Sequence, residues 1–260
     1  MAIFNRALVT SRSKTESEKP FWISFSDLMT ALMVLFLVIM SVSLLSVAQT
    51  LLKQQRQYRD ELIEIRDRNM EQRRLREARA RDIDTLLAQL AASATNFRGV
   101  QVSRDKLTID FGEAVRFASG DYHFTREGEH TVRGFVREVL RVARTDLGRR
   151  WVRRVVVEGF TDVDGSYLFN LDLSLKRAQN VVCSLLREVP DMETRLSTDE
   201  QQQVRALFLV GGFSYNSAKI SKDESRRVEL RLEFRAIGED TPLSLVENHD
   251  GAAIGHCLLR

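Results

Sequence analysis

The stretch Phe21–Val47, FWISFSDLMTALMVLFLVIMSVSLLSV, decides how the rest of the chain is organised. A helix over these residues would be ~40 Å long, enough to cross a hydrocarbon core of roughly 30 Å. Asp27 is the only ionisable residue in it. A carboxyl group at membrane depth costs about 2.5–3.5 kcal/mol, so it is seldom found there without a use. We therefore predict a single transmembrane helix with an ion or proton site at Asp27. The alternative is a protonated Asp27 that is hydrogen-bonded to a neighbouring helix.

The charges before this helix predict its direction. Residues 1–20 form a leader with more bases than acids, and such a leader stays in the cytoplasm. The rest of the chain would then lie in the periplasm of a bacterial inner-membrane protein. A cleaved signal peptide is the alternative, because Ser46-Val47-Ala48 is similar to a cleavage site. The apolar region from Leu28 is about twenty residues long, against the usual 7–15, which favours an uncleaved anchor.

One stripe of the predicted helix carries the acid and several hydroxyl groups. At about 100° per residue it contains Ser24, Asp27, Thr30, Ala31, Val34, Val38, Ser41 and Leu45. Ser26 and Thr30 place hydroxyl oxygens near Asp27 and are candidate neighbours on an ion path. One helix cannot enclose such a path, so another subunit must supply the remaining wall.

The run Phe25–Met33, FSDLMTALM, is similar to the single membrane helix of the B-type stator subunits of ion-driven motors, the MotB family. The resemblance implies that Asp27 takes up and releases the driving ion. We expect a proton, with sodium as the alternative because of the hydroxyls of Ser26 and Thr30. It also implies a plug after the membrane helix, although no residue here identifies one.

Residues 48–98 form a predicted helical connector. From Gln49 to Arg98 there is neither Pro nor Gly, and good helix formers dominate. An apolar heptad spacing near the membrane fades into an arginine-rich segment, and a second apolar stripe follows. Its members are Ile83, Leu86, Leu87 and Leu90. We predict one long helix or two, either as a weak coiled coil or as a solvated single helix. Acidic residues interleave with the arginines, so we expect no nucleic-acid binding.

Residues 99–236 have the pattern of a mixed α/β domain. Predicted strands and helices alternate: strands 107–111, 152–158, 205–211 and 227–236, and helices 125–144 and 170–187. Thr125 is the expected N-cap of the first helix. This order predicts a mixed sheet with helices on one face. Residues 189–204 are longer than such a connection needs and could hold an added short helix, while the tail 237–260 has no assignment.

Motifs in this domain resemble the OmpA C-terminal domain. They are Phe117-Ala118-Ser119-Gly120, Gly159-Phe160-Thr161-Asp162, Gly165-Ser166, Asn170, Leu173-Ser174, Arg177-Ala178, Val181 and Ser225-Arg226-Arg227-Val228-Glu229. The resemblance implies non-covalent binding of peptidoglycan through the diaminopimelate of its stem peptide. Asp162 and Arg177, held side by side, would read the ammonium and carboxylate of that residue. The alternative is an Asp–Arg pair that only closes a loop. Asn170, Phe117 and Ser119 are further candidate binding residues.

The rest of the composition argues against several classes of function. The chain has 260 residues, 43% of them hydrophobic, and a net charge of +3. No Cys or His cluster has the spacing of a metal site and no glycine-rich phosphate loop is present, so we expect no metal, no cofactor and no enzymatic activity. Cys183 and Cys257 are the only cysteines. Both fall in the predicted oxidising compartment, where they could form a disulfide. The alternative is that Cys183 is simply a buried small residue.

These features predict a B-type subunit of an ion-driven motor complex anchored to peptidoglycan. The N-terminal helix, the arginine-rich connector and the short Cys-containing tail are more similar to the stators of the Zorya anti-phage systems than to flagellar ones. That resemblance implies a dimer of this chain inside a ring of a larger ZorA- or MotA-like membrane subunit. The alternatives are a flagellar-type stator and a structural cell-wall anchor without transport.

Overall fold

The computed structural model of the chain describes residues 19–187 and 195–239 and three residues of the tail, Gly255, Cys257 and Leu259. The chain divides into two compact units, residues 1–71 and residues 72–260. Most of the predicted leader, residues 1–18, lies outside the described residues.

A single helix, α1 (Lys19–Ala94), runs from the apolar stretch to the end of the predicted connector. Its N-terminal part, within the first unit, is long and apolar enough to cross a membrane, and it is the one described helix that meets that test. The side chains from Phe25 to Val47 are exposed on the isolated chain, as expected for a surface that contacts lipid or another subunit. The connector is therefore one helix, as in the first of the two predicted arrangements.

The second unit is a mixed α/β domain. Its strands are β1 (Gln101–Ser103), β2 (Thr108–Asp110), β3 (Val152–Gly159), β4 (Phe208–Gly212) and β5 (Val228–Phe234). Its helices are α2 (Arg126–Ala143), α3 (Asp146–Trp151), α4 (Tyr167–Leu186), α5 (Thr198–Leu207) and α6 (Lys222–Ser225), with a 3-10 turn at Gly112–Val115. The sheet order is β1-β2-β5-β3-β4, with β3 and β4 parallel and the other pairs antiparallel. The predicted fold class is confirmed.

The core lies between one face of the sheet and the helices. Alternate residues of β5, Val228, Leu230 and Leu232, are buried, while Arg231 between them is exposed. This period of two is the pattern that predicted the strand. The last turns of α1 also contribute to this core, because Leu86, Leu87, Leu90 and Ala94 are all buried.

Polar contacts hold the end of α1 in the domain. Arg79 Nε donates to the carbonyl of Arg235 at 2.8 Å, and Trp151 Nε1 donates to Asp82 at 2.9 Å. The compact unit accordingly begins at Gln72, well before the predicted start of the domain at Gly99.

The predicted elements shift at their ends. Thr125 caps α2 by accepting from the Gly128 N–H at 3.1 Å, as predicted. Helix α4 begins at Tyr167, before the predicted Asn170, because Ser166 accepts from the Phe169 N–H. The predicted strand 205–211 begins only at Phe208, because residues 205–207 complete α5. Helix α5 supplies the added helix, although residues 188–194 lie outside the described part of the chain.

The two cysteines are joined. Cys183 on α4 and Cys257 in the tail form a disulfide, with their Cα atoms 5.6 Å apart. The bond ties one described residue of the tail to α4. The tail residues between 240 and 254 lie outside the described part of the chain.

Candidate functional site

The predicted ion site lies on α1. Asp27 and Thr30 are three residues apart and therefore share one face of the helix. The Thr30 hydroxyl donates to the Ser26 carbonyl at 2.7 Å, so its proton is used within the helix. The oxygen of Thr30 keeps lone pairs that can accept from water or contact a cation. All three side chains are exposed on the isolated chain.

A second candidate site lies at one edge of the sheet. Strands β3 and β5 are antiparallel neighbours with Gly159 opposite Val228, so the loop after β3 meets the segment before β5. This brings Asp162 and Arg226 together, with Arg226 Nη1 2.9 Å from Asp162 Oδ2. Their side chains are 7% and 15% exposed, so the pair is largely desolvated but still reaches the surface.

Glycine allows the helix behind this edge to approach closely. A Cβ on Gly159 would lie 1.9 Å from the carbonyl oxygen of Ser174 on α4. Only a residue without a side chain fits there, and α4 consequently packs directly against the end of β3. The contact fixes Arg177, one turn further along α4, beneath the loops that carry Asp162.

Arg177 is fully buried and is bonded to the backbone. It donates to the carbonyls of Phe160 at 2.7 Å, Asp121 at 2.8 Å and Ala118 at 3.2 Å. Its guanidinium also lies 4.8 Å from the ring centre of Phe117. Burial lowers the pKa of Arg177 to about 10, so it remains a cation at neutral pH.

Asp162 and Arg177 interact electrostatically, but the structure shows no direct ion pair between these two residues. The cation bonded to Asp162 is Arg226, whereas Arg177 donates hydrogen bonds to three backbone carbonyls. The Phe160 carbonyl is buried and accepts from Arg177, which is consistent with the depth of this guanidinium under the loops. Through these bonds Arg177 ties the loop after β3 to the segment that contains Ala118 and Asp121.

Of the other predicted binding residues, two are buried and one is exposed. Asn170 is buried and donates to the Asp164 carbonyl at 2.8 Å, which shapes the loop after β3. Phe117 is also buried, and its carbonyl accepts from Arg226 at 2.8 Å. Ser119 is exposed on the neighbouring loop. Of the five predicted residues, only Asp162 and Ser119 reach the surface with their side chains.

Known proteins match both parts of the chain. Residues 10–54 match the family described as membrane MotB of the proton-channel complex MotA/MotB. Over 227 residues, the chain is 43% identical to the Zorya protein ZorB of Escherichia coli O139:H28, and the match covers 87% of this chain and 85% of that protein. The chain belongs to the ZorB family. The predicted resemblance to MotB-type stators, and to those of Zorya systems in particular, is thereby confirmed.

Solved structures similar to this ZorB-family chain include two with distant sequences. A putative MotB-like protein from Desulfovibrio vulgaris is 19% identical, with 63% of this chain and 99% of that chain covered and a TM-score of 0.39. The OmpA-like domain of FopA1 from Francisella tularensis is 20% identical, with 53% and 82% covered and a TM-score of 0.33.

Sequence reasoning did not select two charged residues of this candidate site. Arg226 and Lys222 both precede β5, and Lys222 Nζ lies 2.7 Å from Asp164. The Asp162–Arg226 pair, in which Arg226 also contacts Asp223, and the Asp164–Lys222 pair both join the loop after β3 to the segment before β5. Such an arrangement can bind a zwitterion, whose ammonium meets a carboxylate while its carboxylate meets a guanidinium. These residues could have been found from the sequence at the start of β5, because the end of one strand and the start of its antiparallel neighbour lie at the same edge of the sheet.

Proposed function

We propose that this chain is the B-type subunit of an ion-driven inner-membrane motor complex that acts in anti-phage defence. Asp27 carries the proposal, as the only ionisable residue within a helix stretch that can span the bilayer. A passive anchor would gain nothing from the cost of placing an acid there. Membership of the ZorB family supports the same role.

The arrangement in the membrane is part of the proposal. Residues 1–20 lie in the cytoplasm and 21–47 span the inner membrane, and the residues that follow are periplasmic. Two copies of the chain stand inside a ring of a larger A-type membrane subunit, which supplies the remaining wall of the ion path. The ion is a proton, taken up and released by Asp27. The chain catalyses no reaction of its own.

The C-terminal domain anchors the complex to peptidoglycan. The support is the edge where Asp162 and Arg226 form a desolvated pair that still reaches the surface. The diaminopimelate of a stem peptide carries an ammonium and a carboxylate on one carbon, which matches such a pair. Arg177 and Asn170 hold the loops, and Ser119 lies on the adjoining loop.

Asp27→Asn tests the ion role. The amide keeps the size and hydrogen bonding of the acid but cannot take up and release a proton. We expect complete loss of phage protection at normal expression and membrane insertion. The matched control is Ser41→Ala on the same stripe, where the lost hydroxyl only donates to the Leu37 carbonyl. Full protection by Asp27→Asn would remove the acid from the mechanism and favour the passive anchor.

Asp162→Asn tests the anchor. Asn keeps an oxygen for the Asp164 N–H, which now donates to Asp162 Oδ1 at 3.2 Å, but removes the charge. We expect binding of the full-length protein to purified sacculi to weaken about ten- to a hundredfold, the equivalent of losing a hydrogen bond to a charged group. Arg154→Gln, which affects an ion pair with Glu233 elsewhere on the sheet, is the control. Equal loss in both variants would place the binding site elsewhere.

A further inference from the structure

The Cys183–Cys257 disulfide joins α4 to the C-terminal tail. Cys183 is half-buried on α4, whereas Cys257 is exposed. A thiolate can attack an exposed disulfide sulfur while the protein stays folded, because access is one of the factors that set the rate of thiol–disulfide exchange. Exposed disulfides are accordingly the labile and regulatory ones more often than buried disulfides are. The bond is therefore a candidate redox site.

The bond closes a loop that contains β5. The two cysteines are 74 residues apart, and β4, α6 and β5 lie between them. Strand β5 is the last described strand in chain order but lies inside the sheet, between β2 and β3. With the bond, the chain is tied to the domain on both sides of β5. A cross-link over a loop of this length restricts the unfolded chain and so opposes the release of β5 from its neighbours.

Strand β5 connects two attachment points of the domain. At its end, Arg79 of α1 donates to the carbonyls of Arg235 at 2.8 Å and Phe234 at 3.5 Å. At its start, Arg226 in the segment before β5 is paired with Asp162. A load that passes between α1 and the charged edge is carried in part by β5. Loosening of this strand would therefore weaken both attachments.

We propose that the Cys183–Cys257 disulfide is a redox-controlled clip on β5, which a dithiol reductase opens in the folded domain. For the compartment, the proposal rests on the function proposed above, because a domain outside the cytoplasm can acquire the bond and meet dithiol proteins of the cell envelope. When the clip is closed, it holds β5 between the α1 attachment and the charged edge. When it is open, β5 separates from its neighbours more often and the anchor becomes weaker.

The opening reaction needs only thiol–disulfide exchange. A thiolate of the reductase attacks Sγ of Cys257, the more exposed sulfur, and forms a mixed disulfide. Sγ of Cys183 leaves as a thiolate and takes up a proton. The second thiol of the reductase then attacks its partner sulfur in the mixed disulfide and releases Cys257 as a thiol. The reductase is thereby oxidised by two electrons, and the clip is reduced by the same two.

The test uses full-length protein in detergent and dithiothreitol as the dithiol. Free thiols are labelled and counted by mass spectrometry, without urea and in urea below the unfolding transition. We expect both thiols to appear without urea, at a rate that low urea leaves unchanged. Hydrogen exchange then reports on β5, because the amides of residues 228–234 should exchange at least about tenfold faster with dithiothreitol than without it. Cys257→Ser, which lacks the bond, is the control and should exchange fast under both conditions.

Two results would overturn the proposal. One is thiols that appear only at urea concentrations that unfold the domain, because the bond would then be closed to a reductase in the folded protein. The other is equal exchange of residues 228–234 in oxidised protein, reduced protein and Cys257→Ser, because β5 would then not depend on the bond. Neither measurement involves sacculi or phage. Failure of the clip is therefore distinct from failure of the anchor, which Asp162→Asn tests by sacculus binding.

Discussion

Arg177→Met should destabilise the C-terminal domain. Methionine fills much of the buried volume but donates to none of the three carbonyls that Arg177 now satisfies. Hydrogen bonds from a charged donor contribute about 1.5–3 kcal/mol each. The carbonyl of buried Phe160 would lose the Arg177 donor, whereas the Ala118 carbonyl would keep its bond from the Asp121 N–H. The gross loss is therefore roughly 4–9 kcal/mol.

Relief of a buried charge offsets part of this loss. Burial lowers the pKa of Arg177 from its ordinary value to about 10, which corresponds to a cost of about 3 kcal/mol for holding the cation there. The net loss expected for Arg177→Met is thus roughly 1–6 kcal/mol. Since a domain has only about 5–15 kcal/mol to lose, the variant should unfold at clearly lower urea concentrations.

The measurement uses a tryptophan of the domain. Trp22 and Trp151 are the two tryptophans of the chain, so a Trp22→Phe background leaves Trp151 as the reporter. Lys176→Met is the matched control, because its ion pair with Asp172 lies on the exposed surface and contributes little to stability. If Arg177→Met proved as stable as this control and yet lost sacculus binding, its guanidinium would act on the ligand and the positioning role would be refuted.

Two further predictions concern the ends of the domain. Leu90→Ala should lower the free energy of unfolding in urea by about 2–5 kcal/mol, because Leu90 is buried. Leu75→Ala, on the exposed part of the same helix, should lower it little. If Leu90→Ala had no larger effect than Leu75→Ala, the last turns of α1 would not belong to the core. Mass spectrometry of non-reduced peptides should find Cys183 linked to Cys257 in protein purified from the cell envelope without reductant, and two free thiols would contradict the bond.

The elements of the domain could be predicted wherever one face is buried. The strict alternation of Val228 to Phe234 and the helical spacing after Thr125 survive because side-chain period follows directly from backbone geometry. The first and last residues of the elements could not be predicted in the same way. Residues 205–207, Arg-Ala-Leu, lead directly into the apolar run of the strand, but the capping box of Ser197 and Glu200 starts a helix that runs through them.

The candidate site could be located from the sequence but not resolved. Motif resemblance selected Asp162, which lies where the loop after β3 meets the segment before β5. It could not tell that Arg177 lies beneath the loops while Arg226 lies beside the acid, because depth depends on how closely α4 approaches β3. That distance is set by Gly159, whose missing side chain leaves room for the Ser174 carbonyl.

The second apolar stripe of α1 also shows what the sequence alone cannot predict. Leu86, Leu87 and Leu90 recur at helical spacing. This periodicity indicates that one face of the helix is buried, but it does not identify what packs against that face. A partner helix and the protein's own sheet would leave the same pattern. In the structure the cover is the domain core, so the helix is part of the fold it leads into. A fragment that begins at Gly99 would lose these leucines and expose the apolar surface of the sheet that they bury, and any binding measured on it would be measured on a damaged domain.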